Sequence, residues 1–472
     1  MAGVDSSTQS CKVVVCDAED GTVVATGTAP HPPVSPPRSE QDPQAWWDAL
    51  WRAWEAAGSP KVAALSVAGQ QHGLVALDEG GHPLHPAKLW NDTESAPQAA
   101  ELVAALGAEA WAAACGSVPT ASFTITKLAW LRAERPDAWA RLARVLLPHD
   151  WLTWWLTNRP DQAVTDRGDA SGTGWWSPAE SVVRADLLAL VDGERDLAAM
   201  LPRVLGPDEA AGEARQLAPG AVVACGTGDN MAAALALGLR PGDVAVSLGT
   251  SGTVFAVSDG PTADARGLVT GFADATGRFL PLVCTLNCTR ITDWTASLLR
   301  VDRSVLEVLA GGEPPGAGGV VLVPHFDGER TPNRPDATGT LCGLRTSTTR
   351  AQIARAAFEG VVCSLLDGLD ALTAAGVATT GRIAVVGGGA RTPLFAHLLA
   401  DLSSRPVDVP APATEWVAVG AAVQAAAAAT GRPVDTVARC WAEVRAAGRR
   451  ADPSIDPSTA AEVRAAYTSA RG

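Results

Sequence analysis

A carboxylate in a glycine-rich turn is the first residue of this sequence that could do chemistry. Asp229 ends the run Cys225–Asp229, which follows a predicted strand at Ala221–Ala224 and precedes a predicted helix at Met231–Leu239. An aspartate at the start of a helix often only caps it. A carboxylate there can also take the proton of a hydroxyl whose oxygen attacks phosphorus. We expect Asp229 to be such a base, because its turn stands just before the second half of the chain.

Two turns rich in Ser, Thr and Gly could bind phosphate. Val4–Thr8 leads into the predicted strand Val13–Val15, and Val246–Thr250 leads into Val254–Val257. Such turns can direct backbone N–H groups and hydroxyls at an anion. One such turn alone is usually an ordinary hairpin turn. Because the two turns stand in matching places, we expect a duplicated chain in which each half holds part of a triphosphate.

A third segment combines a buried strand with three consecutive glycines. In Arg382–Arg391 the strand runs into Gly387-Gly388-Gly389, and a helix is predicted at Leu394–Leu402. Glycine lets the backbone come close to a flat ligand. The spacing is not that of a dinucleotide-binding fingerprint, and the sequence has no P-loop motif. We therefore expect a nucleotide site of another kind.

Two polar segments could recognise a small polar substrate. Gly69–Gly73, which contains Gln71 and His72, follows a predicted buried strand, and open α/β sheets bind ligands at strand ends. Gln71 and His72 together supply the donors and acceptors that a polyol needs. His72 could equally be a structural histidine. Leu89–Asp92 is the second such segment.

The elements that must position these residues alternate between helices and short strands, which is typical of α/β proteins. A helix is predicted at Pro43–Ala57, where several Trp residues share one face. Gly and Pro cluster at Gly238–Gly242, which predicts a boundary between domains 1–239 and 240–472. Residues 434–472 look helical and carry no motif, so packing or a homodimer contact is their default interpretation.

Composition excludes several other classes of protein. The chain has 472 residues, too many for one hydrophobic core. Its net charge of −14 argues against a nucleic-acid partner. The N-terminus lacks the pattern of a signal peptide, and no apolar run is long enough to span a membrane. Nine scattered cysteines favour reduced thiols over a disulfide framework, so we expect a cytoplasmic protein without a membrane partner.

Taken together, these segments resemble the FGGY carbohydrate kinases of the actin-like and sugar-kinase superfamily. The segments that carry the resemblance are Val4–Lys12, Ser247–Gly252, Val385–Arg391 and Phe358–Val361. They are similar to the family's two phosphate loops, its adenosine motif and a helix of its C-terminal domain, in the same order. The resemblance implies an α/β fold with two actin-like (ribonuclease H-like) domains and a nucleotide and substrate cleft between them.

The resemblance also implies a role for each candidate residue. Asp229 would be the catalytic base, and Asp5 a second essential carboxylate near Mg²⁺ and the phosphates of ATP. Lys12 could equally be a strand residue that faces solvent. The residues expected to contact the sugar are Gln71, His72, Trp90, Asn91 and Asn230. The residues expected at ATP are Ser7, Thr8, Gln9, Lys12, Gly249, Thr250, Ser251, Gly387, Gly388, Gly389, Ala390 and Arg391.

Two segments bear on the choice of sugar. Gly69–Gly73 and Trp90–Asp92 are most similar to the family members that phosphorylate xylulose, which implies transfer from ATP to O5 of D-xylulose. Three departures from the family pattern leave the sugar less secure: Ser7 replaces a common Gly, Gln71 a common Met, and Glu94 stands where a basic residue is frequent. Another ketose, a pentitol or gluconate is therefore an alternative substrate. An actin- or chaperone-like ATP switch without a sugar is an alternative of another class.

Overall fold

The structure is a computed structural model that describes residues 1–411, 415–444 and 448–472. It divides into two compact units. The first unit contains residues 1–239, 259–280 and 415–444, and the second contains the other described residues. The first unit gives way to the second between Leu239 and Arg240, where the sequence predicts a boundary. The predicted domain 240–472 is interrupted, however, because two later segments return to the first unit.

Close backbone packing explains why one of these segments returns. The helix Trp416–Thr430 lies against the strand Ala2–Ser6, and a Cβ atom at Gly3 would lie 1.8 Å from the carbonyl oxygen of Ala418. A Cβ atom at Gly420 would likewise lie 1.8 Å from the carbonyl oxygen of Ala232. Small residues at these contacts therefore let the helix join the first unit although it is distant in sequence.

The sheet of the first unit positions most of the candidate residues. Its strands lie in the spatial order Ala210–Glu213, Val222–Ala224, Ala64–Gly69, Ala2–Ser6, Ser10–Cys16 and Val23–Pro30. The three central strands are parallel, and Ala2–Ser6 forms an antiparallel hairpin with Ser10–Cys16. The short strand Thr227–Gly228 also pairs with Ala64–Gly69, and its Gly228 stands opposite Gly69. The turns that follow Gly69 and Gly228 are therefore neighbours.

The sheet of the second unit repeats this plan. Its strands lie in the order Phe279–Thr285, Gly252–Ala256, Val244–Leu248, Ile383–Val386, Val407–Val409 and Arg449–Ala451. Val244–Leu248 forms an antiparallel hairpin with Gly252–Ala256 and pairs in parallel with Ile383–Val386. The two hairpins predicted from the sequence are thus equivalent elements of two similar sheets.

The remaining strands are short and lie outside these two orders. They are Glu40–Gln41, Val75–Leu77, Ala87–Lys88, Arg144–Leu146, Val164–Asp166, Trp176–Ser177, Val182–Val183, Arg203–Leu205, Val321–Val323 and Thr340–Cys342, whereas Thr270–Ala273 precedes Phe279–Thr285 in the order of the second sheet. Three short 3₁₀ helices connect longer elements; they are Ala198–Met200, Ala317–Gly319 and Gly388–Arg391.

Helices cover the sheets and fill the connections. In the first unit they are Pro43–Ala56, Ala96–Leu106, Ala108–Cys115, Thr124–Glu134, Pro136–Arg141, Pro148–Leu156, Arg167–Ala170, Ala185–Ala189, Asp229–Leu237, Trp416–Thr430 and Val434–Val444. In the second unit they are Thr289–Leu299, Arg303–Gly311, Arg350–Ala374, Pro393–Ser403 and Pro457–Arg471. The described part of the chain contains no helix of the length and hydrophobicity needed to cross a membrane. All nine cysteines are described, and no disulfide joins them.

Local sequence rules explain the first helix well and the C-terminus only in part. Pro43–Ala56 begins where the Asp42 side chain accepts a hydrogen bond from the backbone N–H of Gln44, and Trp46 and Trp54 are buried on its inner face. The prediction that residues 434–472 are helical is wrong at Arg449–Ala451, a strand that pairs with Val407–Val409. Tertiary pairing with the sheet decides the conformation there.

Candidate active site

The first hairpin turn is anchored through its backbone carbonyl groups. The ring Nδ1 of His31 bonds the carbonyl oxygen of Ser7 at 2.9 Å, and the backbone N–H of His31 donates to that of Gln9 at 2.9 Å. The side-chain amide of Gln41 donates to the carbonyl oxygen of Thr8 at 3.1 Å. The body of the unit therefore fixes the shape of the turn from its carbonyl side.

The hydroxyl of Thr8 links this turn to the two polar segments. It accepts a hydrogen bond from the indole N–H of Trp90 at 2.9 Å and donates to the side-chain oxygen of Gln70 at 3.3 Å. The side-chain oxygen of Asn91, next to Trp90, is buried and accepts no hydrogen bond from the described residues. A ligand hydroxyl would satisfy that acceptor. The structure thus brings Trp90 to the first turn, with Asn91 next to it in the chain.

A buried carboxylate precedes the turn. Asp5 is 3% exposed, accepts a hydrogen bond from the hydroxyl of Ser7, and lies 3.9 Å from the ammonium group of Lys12. Lys12 also forms an ion pair of 2.6 Å with Glu415. Burial raises the pKa of Asp5 to about 6, because the stabilising effects of Lys12 and Ser7 offset only part of the desolvation. A cation placed beside Asp5 would favour its ionised form.

Asp229 begins the helix Asp229–Leu237 and is held by its neighbour. Its Oδ1 atom accepts hydrogen bonds from the backbone N–H of Asn230 at 2.8 Å and from the side-chain amide of Asn230 at 2.7 Å. Desolvation, followed by the negative charge of Asp5, raises the pKa of Asp229 to about 7. A general base works best when its pKa lies near the working pH. The alternative interpretation of Asp229 as a helix cap does not hold, because Gly228 occupies the cap position.

Gln71 packs next to this base because of the paired strands, and His72 follows Gln71 in the chain. A Cβ atom at Gly228 would lie 2.6 Å from Cγ of Gln71, so Gln71 packs directly against the residue before Asp229. The side-chain amide of Gln71 donates to the carbonyl oxygen of Gly168 at 3.4 Å. The carbonyl oxygen of Gly172 lies 2.6 Å from Nδ1 of His72. Since a carbonyl can only accept, Nδ1 of His72 carries a proton.

Some residues around His72 were not found from the sequence. The rings of Phe123 and Phe272 lie 4.9 and 5.5 Å from the ring of His72 and hold it from two directions. The segment Asp166–Thr173 supplies the carbonyl groups that orient both Gln71 and His72. Its density of small and acidic residues could have marked it as a turn near a site. No sequence pattern predicts that the two phenylalanines meet at His72.

Two clusters among the described residues have a geometry that could hold a metal ion, and Asp5 belongs to neither. One consists of Glu40, Asp92 and Glu94. The ammonium group of the buried Lys88 lies 2.6–3.2 Å from all three carboxylates and supplies the positive charge that a metal ion would bring. Asp92 therefore braces the segment that carries Trp90 and Asn91. The other cluster is His149, Asp150 and Asp169.

The second hairpin turn, Gly249–Ser251, is anchored in the same manner as the first. Thr289 donates from its backbone N–H at 3.1 Å and from its hydroxyl at 2.8 Å to the carbonyl oxygen of Gly249. The backbone N–H of Cys288 donates to the carbonyl oxygen of Thr250 at 3.1 Å. The start of the helix Thr289–Leu299 therefore holds this turn from its carbonyl side.

The three glycines near the second turn have different surroundings. Gly387 has a positive φ of 87°, and a Cβ atom there would lie 2.7 Å from the carbonyl oxygen of Leu248. A Cβ atom at Gly389 would lie 2.7 Å from Cβ of Leu248, whereas one at Gly388 would meet nothing within 4 Å. Two of the glycines thus permit packing behind the second turn, and Gly388 is the one with open space for a ligand.

Known proteins similar to this chain are sugar kinases. Residues 1–236 match the N-terminal domain of the FGGY family of carbohydrate kinases, and residues 244–429 match the C-terminal domain. A xylulose kinase of Streptomyces coelicolor is 50% identical over 93% of this chain and 90% of its own length. The crystal structure of a xylulose kinase from Bifidobacterium adolescentis is 41% identical, with a TM-score of 0.88 over 100% of this chain and 99% of that one. The crystal structure of a xyloylose kinase from Brucella ovis has a TM-score of 0.91 at 31% identity over 99% of this chain and 98% of that chain.

Proposed function

The chain belongs to the FGGY family of carbohydrate kinases and is an ATP-dependent sugar kinase, and we propose that it phosphorylates D-xylulose at O5. The observation that supports the proposal is the pairing of Gly228 with Gly69, because Gln71 packs against Gly228, the residue before Asp229. A base next to two polyol-binding side chains suits a hydroxyl acceptor. The similarity to curated xylulose kinases supports this particular ketose.

In the proposed reaction, Asp229 accepts the proton of the O5 hydroxyl. The O5 oxygen forms a bond to the γ-phosphorus of ATP, the bond from that phosphorus to the β,γ-bridging oxygen breaks, and ADP leaves with the electron pair. Asn230 donates two hydrogen bonds to Oδ1 of Asp229, so we assign the proton to Oδ2. Asp229 then releases the proton to solvent. A pKa of about 7 suits a group that takes up and gives back a proton near neutral pH.

The sugar contacts follow from the side chains around this base. We propose that Gln71 and His72 bind hydroxyls near the reacting end, and that Trp90 and Asn91 bind the rest of the sugar. The buried side-chain oxygen of Asn91 supports this, because an unsatisfied acceptor favours a ligand that can donate.

The nucleotide contacts are proposed on both units. Ser7, Thr8, Gln9 and Lys12 of the first turn, and Gly249, Thr250 and Ser251 of the second, would bind the phosphates of ATP. Gly387, Gly388, Gly389, Ala390 and Arg391 would bind adenosine, with the backbone approaching at Gly388. Asp5 would help to hold Mg²⁺, because carboxylate oxygen is its preferred protein donor, and the bound ion would neutralise phosphate charge.

Several finer statements belong to the same proposal. Another ketose, a pentitol or gluconate remains an alternative acceptor, while membership in a carbohydrate kinase family disfavours the ATP switch. We also propose a cytoplasmic location, where ATP and free sugar are both available, and a homodimer.

A panel of sugars tests the substrate. ADP release would be measured in a coupled assay with D-xylulose, other ketoses, pentitols, gluconate and no sugar. We expect the highest kcat/KM with D-xylulose and negligible turnover without sugar. A higher kcat/KM with another compound would replace the substrate, and equal turnover without any sugar would remove the kinase assignment.

A further inference from the structure

A buried histidine packs against both chain segments that carry the proposed sugar site. His149 belongs to the helix Pro148–Leu156 and is 0% exposed. A Cβ atom at Gly69 would lie 2.9 Å from Cβ of His149, and one at Gly226 would lie 2.5 Å from Cδ2 of its ring. Gly69 leads into Gln71 and His72, and Gly226 leads into Asp229. Both chain segments therefore need glycine where they cross this histidine.

Both nitrogens of the ring face carboxylates. Nδ1 of His149 bonds Oδ2 of Asp169, and Nε2 lies 3.3 Å from Oδ1 of Asp150 and 3.9 Å from Oδ1 of Asp166. Burial opposes the charged ring, but the charges of Asp150, Asp169 and Asp166 outweigh it and raise the pKa of His149 to about 10. A cation among buried carboxylates is the arrangement that offsets their desolvation.

The carboxylates around His149 in turn hold the residues of the site. Asp166 accepts hydrogen bonds from the hydroxyl of Thr227 at 2.8 Å and from the backbone N–H of Gly168 at 2.7 Å. Thr227 lies two residues before the base. The carbonyl oxygen of Gly168 orients Gln71. A continuous set of contacts therefore runs from the histidine to the base and to the sugar-binding side chains.

We propose that His149 is a positioning residue: as an imidazolium ion it holds the segment Asp166–Gly172 and thereby aligns Gln71, His72 and Asp229, without touching sugar or ATP. The inference rests on the proposed sugar site, but not on the identity of the sugar. It assigns the shape of the proposed sugar site to an ion cluster rather than to apolar packing.

A metal ion is the competing occupant of this cluster. His149, Asp150 and Asp169 offer ligand atoms within 4.8 Å of one another. A metal would bind a neutral imidazole through a nitrogen lone pair, whereas the proposal requires protons on both nitrogens. The protonation state of His149 in the wild-type protein therefore separates the two explanations.

The first experiment is nitrogen-15 NMR of the histidine rings in the full-length wild-type protein at pH 8. We expect His149 to show two protonated nitrogens, with a strongly deshielded Nδ1 proton that disappears in Asp169→Asn. A neutral ring would overturn the proposal. So would a His149 signal that changes when a chelator is added, because it would identify a metal ligand.

The second experiment compares variants on the best sugar of the panel. Without the imidazolium ion the segment Asp166–Gly172 should shift. We therefore expect His149→Gln to lower kcat/KM for the sugar by about 100-fold, while the Kd for ATP stays within about twofold. His82→Gln, the same change at an exposed loop histidine, should leave both unchanged. A kcat/KM within about threefold of wild type in His149→Gln would overturn the proposal.

A third variant avoids the case in which His149→Gln does not fold. Thr227→Val removes the hydrogen bond that the hydroxyl of Thr227 donates to Asp166, and it leaves the contacts of Gln71 and His72 in place. We expect kcat to fall about tenfold with an unchanged KM for the sugar. An unchanged kcat would contradict the alignment. Because the assay uses whichever sugar is best, failure of the xylulose assignment and failure of this inference remain distinct.

Discussion

The two hairpin turns occupy equivalent places in similar sheets and differ in charge. Asp5 stands opposite Lys12 in the first hairpin, whereas Ser247 stands opposite Thr253 in the second. Both turns are held through carbonyl groups, by His31 and Gln41 in the first and by Cys288 and Thr289 in the second. The two turns therefore share a geometry suited to phosphate, while the pair of ionisable residues stands in the first hairpin.

The same contrast extends to the neighbouring strand ends. Beside the first hairpin, the turns after Gly69 and Gly228 carry Gln71, His72 and Asp229. Beside the second, the strand Ile383–Val386 leads only into glycines, Ala390 and Arg391. We infer that proton transfer and sugar recognition belong to the first unit and that the second serves the nucleotide. The predictions below test this division of labour.

Removing the base should have the largest effect. In Asp229→Ala no carboxylate takes the proton of the sugar hydroxyl, so kcat should fall by at least about 10³-fold while the Kd for ATP is retained. Steady-state kinetics and nucleotide titration measure the two quantities. Asp302→Ala, at an exposed helix N-cap of the second unit, is the matched control and should keep wild-type kcat. Wild-type turnover in Asp229→Ala would refute the assignment.

Making the first turn resemble the second should have the next largest effect. Asp5→Ser copies Ser247 and removes the proposed Mg²⁺ contact, so kcat should fall about 100-fold and more Mg²⁺ should be needed for half-maximal rate. Kinetics at varied Mg²⁺ check this. Ser247→Ala in the other hairpin should change kcat by less than about threefold. Equal losses in both variants would contradict the division between the units.

The sequence predicted the repeated hairpins well because the pattern is local. Val4–Thr8 and Val246–Thr250 each combine the end of a strand with a turn of small polar residues, and each leads into the second strand of a hairpin, as expected. Family resemblance supplied the kinase assignment, which the domain matches confirm.

What the sequence could not predict depends on contacts between distant segments. His149 reaches Asp169 and the glycines of two other segments through tertiary folding alone. The return of the helix Trp416–Thr430 to the first unit also depends on packing against Gly3. The sequence gives no way to distinguish the three consecutive glycines, whereas the structure shows that Gly387 is tightly packed and Gly388 is not.

The difference between Gly387 and Gly388 gives a test of the second unit in which a smaller effect is expected. Gly387→Ala forces a side chain into a left-handed backbone position and against Leu248, so the Kd for ATP should rise about tenfold and the Tm should fall. Gly388→Ala meets open space and should leave the Tm unchanged, with at most a modest rise in Kd. Nucleotide titration and thermal unfolding measure both. The KM for the sugar should stay at its wild-type value in both variants, because the side chains proposed to bind the sugar lie in the first unit.

The smallest expected effect is a gain in stability when the base loses its charge. The pKa of Asp229 is about 7 in the folded protein against an ordinary 3.8, so the folded state keeps the proton while the unfolded state loses it. The contribution of Asp229 therefore becomes less favourable as pH rises from about 4 to 7, and its full penalty is present above pH 7. Asp229→Asn should raise the free energy of unfolding by about 1–3 kcal/mol at pH 8 without Mg²⁺, and by little at pH 4. Denaturant unfolding at the two pH values measures the difference. Asp302→Asn, at an exposed helix cap, should not show a gain in stability at pH 8 that is absent at pH 4. If Asp229→Asn raised the free energy of unfolding equally at both pH values, Asp229 would be ionised without penalty and would not be poised as a base.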